Sequence, residues 1–119
     1  MIHLDYRDAR PIYLQIVSGF REQIVSGVLQ NGDRLPSVRE LATELTINPN
    51  TIQRAYRELE MEGWIASVPG KGSFISGVPA GEAQSLLQAF DRTVDTLLAL
   101  GKTRAELAAR IEQGGENHA

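Results

Sequence analysis

Apolar positions along the chain repeat at helical spacing, alternate briefly, and then return to helical spacing. Ile12, Ile16, Phe20 and Ile24, flanked by Tyr13, Val17 and Val25, predict a long amphipathic helix that Pro11 opens and Ser26-Gly27 ends. Residues 1–10 before it read as polar and irregular, and Val28 to Leu35 after it as a connector turning at Asn31-Gly32-Asp33. Ser37 and Glu40 form an S-x-x-E capping box, in which each side chain satisfies an orphan amide of the other, and Leu41, Ala42 and Leu45 give the helix behind it one apolar face. Thr46-Ile47 leaves room only for a turn. Asn48 is then an N-cap with Pro49 at the first helical position, and Gly63 closes the next helix after Glu62.

That second helix of the pair divides cleanly. At about 100° per residue, Ile52, Ala55, Tyr56 and Leu59 fall on one side, and Asn50, Gln53, Arg54, Arg57 and Met61 on the other. Beyond it, Ile65–Val68 and Ser73–Ser76 read as two short strands joined by Pro69-Gly70-Lys71-Gly72, with Phe74 expected to pack inward beside Trp64. Gly77 to Gly81 is linker-like. Leu86, Leu87, Phe90, Val94, Leu97 and Leu98 form a further helical stripe stopped at Gly101. Thr103 and Glu106 cap a short last helix through Leu107, Ala108 and Ile111, expected to stop at Gly114-Gly115 with a frayed ENHA tail.

Helix, short turn, helix and hairpin together predict a mainly α fold with a small β-hairpin, a winged helix-turn-helix over residues 1–77, followed by a C-terminal helical hairpin over residues 78–119. Such a head places its second helix in the major groove of DNA. The outward side of that helix has the residue types that read base edges, Arg for guanine and Asn or Gln for adenine, with Thr51 at its edge and no acid before Glu58. An ordinary solvated helix face is the plain alternative.

The block PSVRELATELTINPNTIQRAYRELEMEGWIASVPGKGSFIS, with PIYLQI before it and NGDRLPS leading in, resembles the DNA-binding head of the GntR transcription regulators, and the short tail resembles the YtrA-type subgroup. The resemblance covers about two-thirds of the chain. It implies a transcription regulator, a repressor in that subgroup, acting as a homodimer on double-stranded DNA. It also implies roles: Arg39 on a base or the adjacent phosphate; Asn50, Thr51, Gln53 and Arg54 in the major groove; Ser37 and Arg57 on phosphates; Gly70, Lys71 and Gly72 as the tip of a wing at the minor groove. The chain departs from the family at Pro49-Asn50, where a basic residue is usual, and so lacks one expected base contact. Larger relatives carry an effector-binding or aminotransferase-like C-terminal domain, which about 40 residues cannot form; the sequence names no small-molecule effector.

Charge complicates this picture. The net charge is −3 with 12 Lys+Arg against 15 Asp+Glu, where a nucleic-acid-binding domain is expected to be basic. Residues 1–77 hold 8 basic against 9 acidic residues, or −1, and residues 78–119 hold 4 against 6, or −2. The distribution favours DNA all the same, because Arg39, Arg54, Arg57 and Lys71 belong to the elements that would face it. An acidic remainder keeps sequence-independent affinity low, since that component is mostly phosphate neutralisation. The acidic balance also leaves open a winged helix that docks a partner protein. A head detached from an aminotransferase-fused regulator is the other alternative.

No catalytic site, metal site or cofactor is expected. Gly-Lys-Gly lacks the remaining positions of a phosphate loop, cysteine is absent, His3 and His118 stand without neighbouring ligands, and Asp91 and Asp95 read as a solvated pair. The opening MIHLDYRDARP has no apolar signal core and no run approaches a membrane span, so a cytoplasmic protein without membrane contact is expected. The tail stripe is richer than two short helices can cover, and Leu86, Phe90, Val94 and Leu97 are expected to pair with a second copy; folding back on the head is the alternative.

Overall fold

A computed structural model describes residues 2–117, which leaves His118 outside the described residues. The elements are α1 (Ile12–Val25), α2 (Val38–Leu45), α3 (Pro49–Glu62), β1 (Ile65–Val68), β2 (Gly72–Ile75), α4 (Glu82–Ala99) and α5 (Arg104–Asn117). The fold is mainly helical with one two-stranded antiparallel hairpin, a winged helix followed by two helices. It divides into two compact units between Pro79 and Ala80.

The first unit is built where the apolar spacing placed it. Ile16, Val17, Phe20 and Ile24 of α1, Leu41 and Ala42 of α2, Ile52, Ala55, Tyr56 and Leu59 of α3, and Trp64, Ile65 and Ile75 of the hairpin make one buried cluster. Phe20 and Tyr56 meet edge to face with ring centroids 5.8 Å apart, the arrangement that aromatic quadrupoles favour. The Ser37–Glu40 box is complete, with Glu40 N–H donating to Ser37 Oγ at 3.0 Å and Ser37 N–H to Glu40 Oε1 at 3.1 Å. Thr46 closes α2 in the left-handed region at φ 56°, a strained setting for a β-branched residue that makes the turn between the two helices abrupt.

Four local expectations give way to tertiary structure. The N-terminal arm is not wholly solvated: Ile2 is buried in the core and lies over Gly19, where any Cβ would sit 2.6 Å from Ile2 Cδ1. Gln15, also buried, holds the arm by accepting from Asp5 N–H at 2.8 Å and donating to Asp5 O and Arg10 O. The connector does more than link α1 to α2. Leu35 N–H donates to Ser73 O, Ile75 N–H to Asp33 O and Gly32 N–H to Ile75 O, so residues 32–35 line the free edge of β2. Phe74 is only half-buried and lies outside the core. The register pairs Ile65 with Ile75 and Ala66 with Phe74, and alternation along the strands puts the first pair on the core side and the second on the other. Finally, α5 runs through Gly114-Gly115 to Asn117 rather than stopping there. Glycine weakens a helix interior by about 1 kcal/mol without forbidding it, and Gly114 does not take the positive φ that would end a helix.

In the second unit Gly101, at φ 102°, separates α4 from α5, and Glu106 N–H donates to Thr103 Oγ1 at 3.1 Å to cap α5. No residue of α4 is fully buried. Phe90, Thr93, Val94 and Leu97 face Leu107, Arg110 and Ile111 across a largely apolar groove of about 260 Å³. Leu86, Leu87 and Phe90 are about half exposed, at 54%, 56% and 46%.

Candidate nucleic-acid interface

The position of α3 is fixed from three sides. Its apolar face, Ile52, Ala55, Tyr56 and Leu59, is buried. Tyr56 donates its hydroxyl to Pro36 O at 2.7 Å, which ties the middle of α3 to the residue before the α2 cap. Burial, with the charges of Glu40 and Glu44 adding to it, pushes the Tyr56 phenol far above its ordinary pKa, so the hydroxyl stays a donor. At the start of the helix Asn48 Oδ1 accepts from Asn50 N–H at 2.8 Å with Pro49 at the first position, and at its end Gly63 takes φ 90°.

What this arrangement leaves outside is the polar face. Asn50, Gln53, Arg54 and Arg57 are exposed and Thr51 half-buried, all on α3. Arg39 is exposed on α2, and Ser37 is exposed at its cap with its oxygen already accepting from Glu40. Gly70, Lys71 and Gly72 are exposed at the hairpin turn, where Lys71 N–H donates to Val68 O at 2.9 Å and both glycines have positive φ. Asn50, Thr51 and Arg54 line one open depression of about 350 Å³ together with Pro11, Ile12 and Tyr13. The start of α3 and the start of α1 therefore share a surface.

The basic residues of this unit fall into two groups. Arg7 and Arg10 pair with Asp5 and Asp8 in the N-terminal arm, and Arg21 pairs with Glu62. The other five, Arg34, Arg39, Arg54, Arg57 and Lys71, have no ion-pair partner among the described residues. They are the cations of the connector, α2, α3 and the hairpin turn. A unit with a formal charge of about −1 can therefore present cationic groups on one set of elements while its other arginines each lie beside a carboxylate.

Two contacts in this region carry no local sequence signal. The Arg54 guanidinium lies over the Tyr13 ring, 3.9 Å from its centroid, and Nη2 donates to the Tyr13 hydroxyl at 3.3 Å. The two residues are 41 positions apart. Arg34 lies beside the hairpin turn, so that a Cβ on Gly72 would come within 3.1 Å of its Nε. The only hint of Arg34 in the sequence was its place in the segment leading to α2.

Other hollows offer less. One of about 590 Å³ runs along the N-terminal arm and α1 past His3, Asp8, Arg10 and Gln15, and its Asp8–Arg10 and Gln15–Asp5 contacts are internal. Among the described residues no group of His, Cys, Asp or Glu is placed to hold a metal ion, and no helix is long and apolar enough to cross a membrane.

The family model described as "Bacterial regulatory proteins, gntR family" matches residues 12–75. Over 76 residues the chain is 50% identical to the HTH-type transcriptional repressor YtrA of Bacillus subtilis (strain 168), a match covering 64% of this chain and 58% of that protein. The chain thus spans less than two thirds of that relative's length. A GntR family transcriptional regulator from Listeria monocytogenes superposes with a TM-score of 0.77 at 37% identity, over 92% of this chain and 98% of that one. The DNA-binding domain of AraR, solved in complex with operator ORE1, superposes with a TM-score of 0.54 at 25% identity, over 63% of this chain and 92% of that one.

Proposed function

The chain belongs to the gntR family of bacterial regulatory proteins, and from that premise we propose that it is a DNA-binding transcriptional regulator, a cytoplasmic repressor that binds an inverted-repeat operator as a homodimer. The observation that carries the reading is the exposed amide-and-arginine face of α3, held by a buried apolar face, in a unit whose unpaired Arg and Lys side chains, among the described residues, lie on the connector, α2, α3 and the hairpin turn.

In this reading Asn50, Thr51, Gln53 and Arg54, at the start of α3, make the base contacts, because a recognition helix reads with its N-terminal residues. Arg57, one turn further on, and Ser37 take phosphates, and Arg39 a base or the neighbouring phosphate. Gly70, Lys71 and Gly72 form the wing tip, and Arg34 joins them as a phosphate contact beside the hairpin turn. Leu86, Phe90, Val94 and Leu97 provide the dimer seam. Support for repression comes from the YtrA relative, and support for an operator as target from the AraR complex.

The test is selection of duplexes from a randomised pool by the full-length chain. The expected product is an inverted repeat with half-site centres one helical turn, about 34–36 Å, or a multiple of it apart. A pool that enriches no common sequence would remove the base-reading role, and a single asymmetric site would remove the two-fold dimer.

A further inference from the structure

The Tyr13–Arg54 contact joins α1, which lies outside the helix-turn-helix, to the residue assigned here as a base reader. Tyr13 is half-buried and packs against the core, so its ring is fixed by the fold. Arg54 is exposed and has no carboxylate partner among the described residues, yet its guanidinium carbon lies over the ring, 3.9 Å from the centroid, with one N–H on the phenol oxygen. The ring contact uses no N–H donor, and the hydroxyl takes one of the guanidinium's five. Four N–H groups on the edge remain for a nucleic acid. Asn50 and Thr51 border the same depression.

An exposed arginine visits many rotamers and loses that freedom when it binds. A ring and a hydroxyl that hold one rotamer beforehand transfer the loss from binding to folding. We propose that Tyr13 is a positioning residue for specific DNA recognition, holding Arg54 in its reading orientation before DNA arrives. The proposal rests on the reading of Arg54 as a base contact. It gives Tyr13 a role that a purely core tyrosine does not have: its effect on DNA binding passes through Arg54 and through nothing else.

The experiment uses the full chain with Tyr13→Leu, which keeps apolar volume, and Tyr13→Phe, which keeps the ring and removes the hydroxyl; thermal melts check that both fold. NMR relaxation of the Arg54 Nε–H group in the free protein reads the tie directly. Binding is titrated on a duplex selected by the wild-type chain and on its scrambled version. Arg54 Nε–H is expected to be rigid in the wild type and mobile in Tyr13→Leu. Specific affinity should fall about three- to tenfold with the scrambled duplex and the salt slope unchanged, and Tyr13→Phe should lie between. In an Arg54→Ala background Tyr13→Leu should add nothing. An Arg54 side chain equally mobile with and without the ring overturns the positioning role alone. A Tyr13→Leu loss that persists without Arg54 overturns it too, since the tyrosine then acts on DNA or on the fold directly. Arg54→Ala with intact sequence discrimination overturns the base-reading assignment and the proposal together.

Discussion

Arg21 on α1 donates both Nε and Nη2 to a single oxygen of Glu62 at the end of α3, and the same Oε1 accepts the indole N–H of the buried Trp64 at 3.1 Å. One carboxylate thus joins α1, the end of α3 and the start of the hairpin. Burial works to raise the pKa of Glu62, but the hydrogen bonds from Arg21, Glu58 and Trp64 and the arginine charge together hold it below the usual carboxylate range. Glu58 moves the other way, raised first by its hydrogen bond with Glu62.

The sign of the pH dependence follows. A carboxylate with a depressed folded pKa lends stability above its unfolded value of about 4.3 and loses it as pH falls through the folded value. The raised Glu58 acts in opposition, costing stability as pH rises through its own folded pKa, and Glu62→Gln relieves that cost. The net expectation for Glu62→Gln is a loss of about 1–2 kcal/mol at pH 7, with the gap to wild type shrinking below about pH 4. Urea denaturation across pH 3 to 7 measures it. A gap that stays constant over that range would show that the ionised carboxylate is not the source of the effect.

Arg54 and Arg57 lie on the same exposed side of α3, with Arg54 one turn nearer the start. Arg54→Ala should lose about 1–3 kcal/mol of discrimination at one base pair. Arg57→Ala should weaken all duplexes alike and lower the salt slope by about one. Titrations on selected and scrambled DNA at several salt concentrations separate the two, and equal weakening of all DNA by both variants would make Arg54 a phosphate contact.

The division between what could be read from the sequence and what could not follows the range of the interactions. Ile52, Ala55, Tyr56 and Leu59 were legible as the buried face of α3 because a helix repeats its environment every three to four residues, and the polar face followed by exclusion. The Ser37–Glu40 box was legible because its partners are three residues apart. Phe74 was misread because facing in a hairpin depends on register, which shifts by one residue when Gly72 joins β2. Ile2 sits outside any periodic run, so only the fold reveals its burial. The Tyr13–Arg54 contact spans 41 residues and needs α1 already packed on α3. The α3 face was therefore readable, while the contacts from α1 and the connector that border it were not.

At the wing, Gly70 has φ 76° with open space around its Cβ position, whereas Gly72 has φ 116° and Arg34 directly beside it. Alanine at either site carries backbone strain of about 1–3 kcal/mol, and only Gly72→Ala also displaces Arg34. Gly72→Ala is therefore expected to weaken DNA binding more than Gly70→Ala for the same loss of melting temperature. Lys71→Ala should reduce affinity with no change in melting temperature, since the side chain is exposed at the turn. Thermal melts paired with binding titrations decide both points. Full affinity in Lys71→Ala would leave the hairpin with a structural role only.

The tail prediction starts from an imbalance between the two units. Among the described residues, all fifteen buried apolar residues of the core lie between Ile2 and Ile75, while α4 contains no fully buried residue and leaves Leu86, Leu87 and Phe90 about half exposed. Covering each such side chain contributes roughly 1.5–3 kcal/mol when burial is complete, so two copies of this stripe facing one another would form a self-complementary seam. Phe90→Asp should then convert the dimer to monomer, because the seam would have to bury an unpaired carboxylate. Truncation after Pro79 keeps the whole core and the proline that lies over Gly63. The truncated head should melt cooperatively, sediment as a monomer, and bind a half-site weakly without preference for the full inverted repeat. Sedimentation equilibrium and titration on half-site and full-site duplexes test both variants. A truncated head that still dimerises, or that binds the full site as tightly as the whole chain, would remove the tail from the dimer and place the two-fold contact within the head itself.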